Sequence, residues 1–454
     1  MINLRCSGVF FLLLAASAGA LADSQVYIWQ RVWNDQHKTA LQQSQALFAT
    51  LRVLGIQFHP QEGVRLARVN TSLLQQDGRP VWLVVRLDGS LTQLDTTTML
   101  PQIKRLVTHW RKAGVNLTAI EIDYDAPTSR LSDYKRLLMA MRQGLPSDIT
   151  LSITALPTWL TSPGLRPLLK AVDSSVLQLH SVQSPGTGLF DPTLARRWSR
   201  QYALIAPHPF YLALPAYGSA LIAAPGQPAS VESESPLWIA AEKQELSVSP
   251  RQIDTFTREL EQQPPHHFSG IVWFRLPLDN DTRAWSLSTL AAVIRHQPLT
   301  SRWQWLALPD KANASAESTL YELAIKNTGN IDAPLPAKIT LTTEDCLAAD
   351  GAGSYRFSEQ TFSLTAPALL GGRKPLVGQD AQRHHKESFM LTRKLPLAAF
   401  LAATLVAASS HACGPFFPNY LLADRQANLL YLPEGSFALE SSRLGLADPR
   451  LPQW

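Results

Sequence analysis

Strand-like and helix-like runs alternate along most of this chain, and that alternation limits the fold more than any single motif. Eight apolar, β-branched-rich runs read as strands: Val26–Trp33, Leu51–Phe58, Val81–Leu87, Leu117–Asp125, Ile149–Ala155, Val176–His180, Phe210–Ala216 and Gly270–Leu276. Helical patterns lie between them. Leu100–Lys112 carries Ile103, Leu106, Val107 and Trp110 on one face and stops at Gly114. Leu131–Gln143 stops at Gly144-Leu-Pro146, while Asp191-Pro192 and Ser249-Pro250 each pair a cap residue with proline at the first helical position. Val64–Gln76 fits helix or strand. Eight strands in such an alternation predict a closed (β/α)8 TIM barrel. An open doubly wound sheet is the alternative, but no glycine-rich dinucleotide turn follows the first strand.

The fourth strand is unusual. Along Leu117-Thr-Ala-Ile-Glu-Ile-Asp-Tyr-Asp-Ala-Pro127, Ile120, Ile122 and Tyr124 point one way and Glu121, Asp123 and Asp125 the other. Neighbouring carboxylates on that face lie roughly 6–7 Å apart from the strand rise. Such a row raises its own pKa values by repulsion, and it is more common at proton-moving sites than in scaffolding. Chemistry in this fold sits at the C-terminal strand ends. Those ends supply Arg31, Trp33, His59, Arg86, Asp88, Asp123, Asp125, His180, Tyr217, Trp273 and Arg275.

Thr118-Ala-Ile-Glu-Ile-Asp-Tyr-Asp-Ala-Pro127 resembles the fourth-strand signature of family 18 glycoside hydrolases, chitinases and relatives, which reads D-G-x-D-x-D-x-E-x-P. Asp123 matches its last Asp and Asp125 its catalytic Glu. Glu121 replaces an Asp, and Thr118 and Ala119 replace the Asp-Gly pair. Leu212-Ala-Leu-Pro-Ala-Tyr-Gly218 resembles the family's seventh-strand L-G-x-P-x-Y-G. Gly270-Ile-Val-Trp-Phe274 resembles its eighth-strand region, with the Trp one position early. The sixth strand departs, since Leu177-Gln-Leu-His-Ser181 has no Tyr where the family has M-x-Y-D. Over about residues 25–375 the chain also resembles the bacterial family called domain of unknown function 3142.

The resemblance implies a carbohydrate-directed barrel with Asp125 as general acid, its pKa raised by Asp123 beside it. Asp88 is the candidate second carboxylate, or else caps a turn with Gly89. Trp273 and Tyr217 are candidate stacking platforms, or core. Arg86, Arg31 and Arg275 are candidate ion-pair partners of the three acids or substrate contacts, and Glu121 is expected deeper, on an arginine. His180 and His59 are weaker candidates, because no His-x-His or His-Glu-x-x-His spacing supports a metal. No cofactor is expected. A non-catalytic carbohydrate-binding barrel and a structural envelope protein remain the alternatives.

Charge and hydropathy set the remaining limits. A net charge of +5 over 454 residues forms no basic stripe, which argues against nucleic acid. Arg5, the apolar run Val9–Ala20 and Ala20-Leu-Ala22 make residues 1–22 an export signal, so the mature chain is expected to begin near Asp23 in the periplasm or outside the cell. With Cys6 in that signal, Cys346 and Cys413 make no disulfide framework.

Residues 23–300 are read as the barrel and 301–375 as a small β-sandwich-like domain, on the alternation in Tyr321–Asn330 and Ala337–Thr343. Ser219–Ser249 is a long connection at the mouth, either a lid or an unstructured insertion. Residues 376–454 are expected to stand outside the fold. They hold a second signal-like sequence: Met390-Leu-Thr-Arg-Lys394, the apolar Leu395–Ser410, and Ser410-His-Ala412. Membrane contact is expected only if 395–410 is a tether, and the protein is expected to be a monomer. Asn116-Leu-Thr and Asn313-Ala-Ser match the short glycosylation pattern.

Overall fold

The computed structural model describes residues 23–180, 188–223, 230–232, 242–279, 281, 283–309, 318–334 and 338–340, with short strand segments between 346 and 433. The chain opens with β1 (Asp23–Ile28), α1 (Asp35–Gln43), β2 (Thr50–His59) and β3 (Gly63–Leu66). It continues with α2 (Thr71–Asp77), β4 (Val81–Leu87), α3 (Thr96–Lys112), β5 (Leu117–Tyr124) and α4 (Leu131–Gly144). Then come β6 (Thr150–Ala155), α5 (Leu165–Leu169), β7 (Ser174–Gln178), α6 (Pro192–Ile205) and β8 (Phe210–Pro215). β9 (Ser219–Ala223), β10 (Ser230–Glu232) and β11 (Glu242–Leu246) precede α7 (Pro250–Gln262), β12 (Phe268–Phe274) and α8 (Leu287–Ile294).

Eight of these strands pair in parallel in the order β1-β12-β8-β7-β6-β5-β4-β2, and β2 pairs back onto β1. The sheet is therefore closed, and the expected TIM barrel is what the chain forms. The first strand begins three residues earlier than expected, because Asp23 to Val26 pair with Gly270 to Trp273. Val64–Gln76 divides: β3 pairs antiparallel with the end of β2, beyond the stretch where β2 pairs with β1, and α2 comes next. Asn34 caps α1, Asn70 α2, Asp95 α3 and Asp191 α6, each accepting a backbone N–H from the first turn. Ser249 makes no such side-chain bond, so Pro250 alone marks the start of α7.

Side-chain parity does the rest. On β5, Ile120, Ile122 and Tyr124 join the apolar layer between barrel and helices, all fully buried. Tyr124 meets Tyr134 of α4 edge-on, and the Tyr134 hydroxyl donates to the Ile122 carbonyl at 3.0 Å. Each such aliphatic burial stabilises by about 1.5–3 kcal/mol. The opposite faces of the strands fill the barrel, where Tyr27, Val84, Val176, Ala213 and Val272 form a separate apolar cluster.

The long connection after β8 contains a three-stranded antiparallel sheet in the order β10-β9-β11. Gly218 belongs here by necessity. A Cβ at that position would lie 2.8 Å from the Leu246 carbonyl oxygen.

After the barrel, β13 (Trp303–Pro309) and β14 (Ser318–Asn327) form an antiparallel hairpin. The turn after β14 seats on the barrel's last helix: Asp332 accepts the Ser286 N–H at 2.8 Å and donates its own N–H to the Thr289 hydroxyl at 2.7 Å. Beyond residue 380, Ser388–Phe389 and Leu430–Pro433 pair with β14, and Thr392–Arg393 pairs with Cys346–Ala348. None of these pairings involves a barrel strand. Residues 1–22, the candidate export signal, lie outside the described residues, as do Leu395–Ser410 and Asn313. Asn116 is described, its side chain donating to the Gly78 carbonyl at 3.1 Å.

Candidate active site

Two polar layers lie inside the barrel. The lower one is a floor. Arg52 of β2 is fully buried, with its guanidinium 3.9 Å from the Trp82 ring centroid and 4.9 Å from that of Tyr211. It donates to Glu121 and, at 2.8 Å, to Gln25. The Tyr27 hydroxyl donates to the same carboxylate at 2.6 Å. Burial raises the Glu121 pKa, against the pull of Arg52. Glu121 thus sits deep on an arginine, as expected. The arginine is Arg52, which the sequence reading did not single out.

The upper layer lies at the mouth and is built on Arg86 of β4. One guanidinium nitrogen donates to Asp123 at 2.5 Å and another to Asp125 at 2.7 Å. The other Asp123 oxygen accepts from the Thr154 hydroxyl at 2.7 Å and from Gln178 at 3.4 Å. Asp123 is buried, whereas the Asp125 side chain is 37% exposed. Asp125 Oδ1 has no hydrogen-bond partner among the described residues. Burial raises the Asp125 pKa from the ordinary carboxylate value, and the Asp123 charge adds to this against Arg86. For Arg86, burial alone would lower the pKa, but the two carboxylates outweigh it and raise it.

Asp88 stands beside this pair at the end of β4. It holds the turn Asp88-Gly89-Ser90, the turn-capping role that was the alternative for it, and both the hydroxyl and the N–H of Ser90 donate to it. The Ser90 hydroxyl is the first cause of its lowered pKa. Gly89 fits against the Asp125 backbone, where a Cβ would lie 2.8 Å from the carbonyl oxygen. His59 turns Nδ1 to the N–H groups of Gln61 and Glu62, leaving Nε2 3.8 Å from Asp88.

An aromatic wall faces the acids. Phe274 contacts Trp29 at 5.1 Å, Tyr217 at 5.2 Å and His180 at 5.3 Å between ring centroids. Burial lowers the His180 pKa to about 4, against the pull of Asp123, so this ring is neutral near pH 7. Burial likewise pushes the Tyr217 hydroxyl up to about 12.

The structure thus brings Arg86, Asp88, Asp123, Asp125, His180 and Tyr217 together. Trp273 is not among them. It points outward into the barrel–helix layer, 1% exposed and lined up with Thr257, Val293 and His296. Its neighbour Phe274 takes the inward position, as the parity of β12 requires. Arg275 pairs with Asp281 at 2.6 Å, which in turn accepts the N–H groups of Arg283 and Ala284. It orders the loop after β12 rather than an acid of β5. Arg31 is exposed, and its carbonyl accepts the Arg68 N–H at 2.7 Å. Thr154, Gln178, Trp29 and Phe274 are the mouth residues that sequence reading missed. For Phe274 the signal existed, since the tryptophan stands one position early in the motif.

Among the described residues no group of three metal-capable side chains comes together, and no helix is long and apolar enough to cross a membrane.

An eight-stranded parallel barrel with a carboxylate–arginine cluster at its mouth is the class that fold and site define. Residues 77–279 match the model of a family described as a domain of unknown function (DUF3142), a shorter stretch than the sequence reading expected. Residues 310–369 match a second domain of unknown function (DUF8456). No curated protein matches the chain. Among solved structures, the barrel is similar to the Bacillus cereus spore cortex-lytic enzyme SleL, with 14% identity, TM-score 0.43, and 57% of this chain and 71% of that one covered. It is similar to a chitinase from Chromobacterium violaceum, with 11% identity, TM-score 0.45, and 60% and 98% covered. A putative sporulation-specific glycosylase, ydhD, from Bacillus subtilis matches at 14% identity, TM-score 0.36, with 49% and 90% covered.

Proposed function

We propose that this protein is an exported glycoside-hydrolase-like barrel that acts on a polysaccharide or oligosaccharide, with Asp125 as general acid. The observation that carries the reading is the state of Asp125. Its side chain is partly exposed at the mouth, its pKa is raised, and its buried oxygen Oδ1 has no partner among the described residues. A carboxyl whose pKa is raised holds its proton to higher pH than an ordinary aspartate and can give it to a leaving glycosidic oxygen. Trp29 and Phe274, both partly exposed, supply apolar rings at the same mouth, suited to the flat face of a sugar. Asp88, held ionised by Ser90, is the candidate second carboxylate.

A second reading rests on a different observation. The 2.7 Å bond from Arg86 favours the charged form of Asp125, and a permanently ionised Asp125 would leave a carbohydrate-binding barrel without catalysis.

One experiment separates the two. Protein recovered from periplasm or medium is screened against polysaccharides for binding and for released reducing ends, beside an Asp125→Asn variant. Hydrolysis is expected to fall about 100-fold or more in the variant while binding persists, as loss of a general acid requires. Binding without release in either protein supports the second reading. Undiminished release in the variant removes Asp125 from the mechanism. Export is part of the proposal, and recovery only from the cytoplasm with Met1 retained overturns that part.

A further inference from the structure

We propose that Arg86 is the positioning residue of the mouth: it holds Asp123 and Asp125 side by side and sets how readily Asp125 takes up a proton. The role in catalysis rests on the hydrolase reading above; the control of protonation does not.

Asp123 and Asp125 occupy successive inward positions of one strand, so their charges repel across roughly 6–7 Å. The planar fork of Arg86 spans that gap, one nitrogen on each acid, which a point charge cannot do equally well. Asp123 accepts in addition from Thr154 and Gln178, three donors in all. Asp125 accepts from Arg86 alone among the described residues. Donors stabilise the charged form, and Asp125 has Arg86 as its one side-chain donor among the described residues.

The other groups facing the pair do not change this. Asp88, from the loop after β4, adds negative charge and favours protonation of Asp125. His59 lies behind Asp88. His180, from the end of β7, stays neutral until about pH 4. Tyr134 of α4 lies behind β5, with its pKa raised well above the ordinary value by burial and by the carboxylates. Removing Arg86 therefore leaves two carboxylates without their shared cation, and Asp125 must take up its proton at higher pH.

The test is carboxyl carbon NMR of aspartate-labelled protein across pH, with Asp125→Asn identifying the resonance. In Arg86→Gln the Asp125 midpoint is expected to move upward. In Arg86→Lys it is expected to fall between wild type and the glutamine variant. An unmoved Asp125 midpoint in Arg86→Gln overturns the proposal. Should that variant fail to fold, an unmoved Asp125 midpoint in Arg86→Lys overturns it instead. Where hydrolysis is found, the alkaline limb of the pH–rate profile is expected to move upward in Arg86→Gln. A titration shift with no hydrolysis in any protein removes the hydrolase reading and leaves the control of protonation by Arg86 standing.

Discussion

Two histidines show how burial alone sets a proton's fate. His37 is fully buried beneath Trp33, with Nδ1 accepting the Asn34 N–H and Nε2 unpartnered among the described residues. Burial lowers its pKa to about 4, as it does for His180 at the mouth. Both folded values lie below the ordinary 6.5, so the unfolded chain takes up these protons first as pH falls. Stability is therefore retained above about pH 6.5 and lost on descent toward pH 4, at no more than about 1.4 kcal/mol per pH unit for each ring. Denaturant titrations at pH 7 and pH 5 check this on a His37→Gln variant, which keeps a side chain suited to the third position of α1. The variant should lose less stability between the two pH values than wild type, and an equal loss would show that His37 contributes nothing to the slope. At this scale the sequence was readable where parity decided: Glu121, Asp123 and Asp125 share the inward face as their alternation required. It was unreadable where the partner came from another strand. Nothing local to Thr154, Gln178 or Arg52 announces that each meets a carboxylate of β5.

Among the elements, β5 and β2 depend on one another through the barrel floor. Arg52 interrupts an apolar run, Leu51-Arg-Val-Leu54, and reads by itself as a surface residue at a strand start. The closed barrel turns it inward, where Glu121 neutralises it and two aromatic rings cover it. Arg52→Met leaves Glu121 buried with a charge and no cation, which is expected to cost about 3–5 kcal/mol. Adding Glu121→Gln removes that charge and keeps an acceptor for the Tyr27 hydroxyl, so the double variant should recover most of the loss. Urea unfolding of wild type, Arg52→Met, Glu121→Gln and the double variant measures the coupling, and additive losses would mean that the pair contributes nothing as a pair. Helix starts were legible where a side chain caps them, as at Asp191. Val64–Gln76 was ambiguous for a physical reason, because a four-residue strand and a seven-residue helix are each too short to write a clear period.

For the whole molecule, closure was legible because eight buried strands each carry their own apolar run. The sheet of β9, β10 and β11 was not, since Ser219–Ser249 is rich in Pro, Ala and Ser and lacks a strand-length apolar alternation. The same reasoning bears on the C-terminal stretch. The barrel's contact with the appendage runs through residues 327–333: Asn330 bonds Thr300 and Pro298, Asp332 bonds Ser286 and Thr289, and Ile331 and Ala333 are buried. All of these precede residue 374. The described strands beyond 380 pair with β14 and with Cys346–Ala348, and with no barrel strand. A chain ending at Lys374 therefore keeps every described bond between barrel and appendage while losing strand partners of the appendage alone. Calorimetry of the truncated and full-length proteins should show the barrel's unfolding transition displaced by less than about 2 °C, which for a domain of this size corresponds to roughly 1 kcal/mol. Any separate transition of the appendage should weaken, because β14 loses the partner at Leu430–Pro433. A barrel transition lowered by many degrees would place the last eighty residues within the cooperative unit and overturn the division of the chain near residue 375.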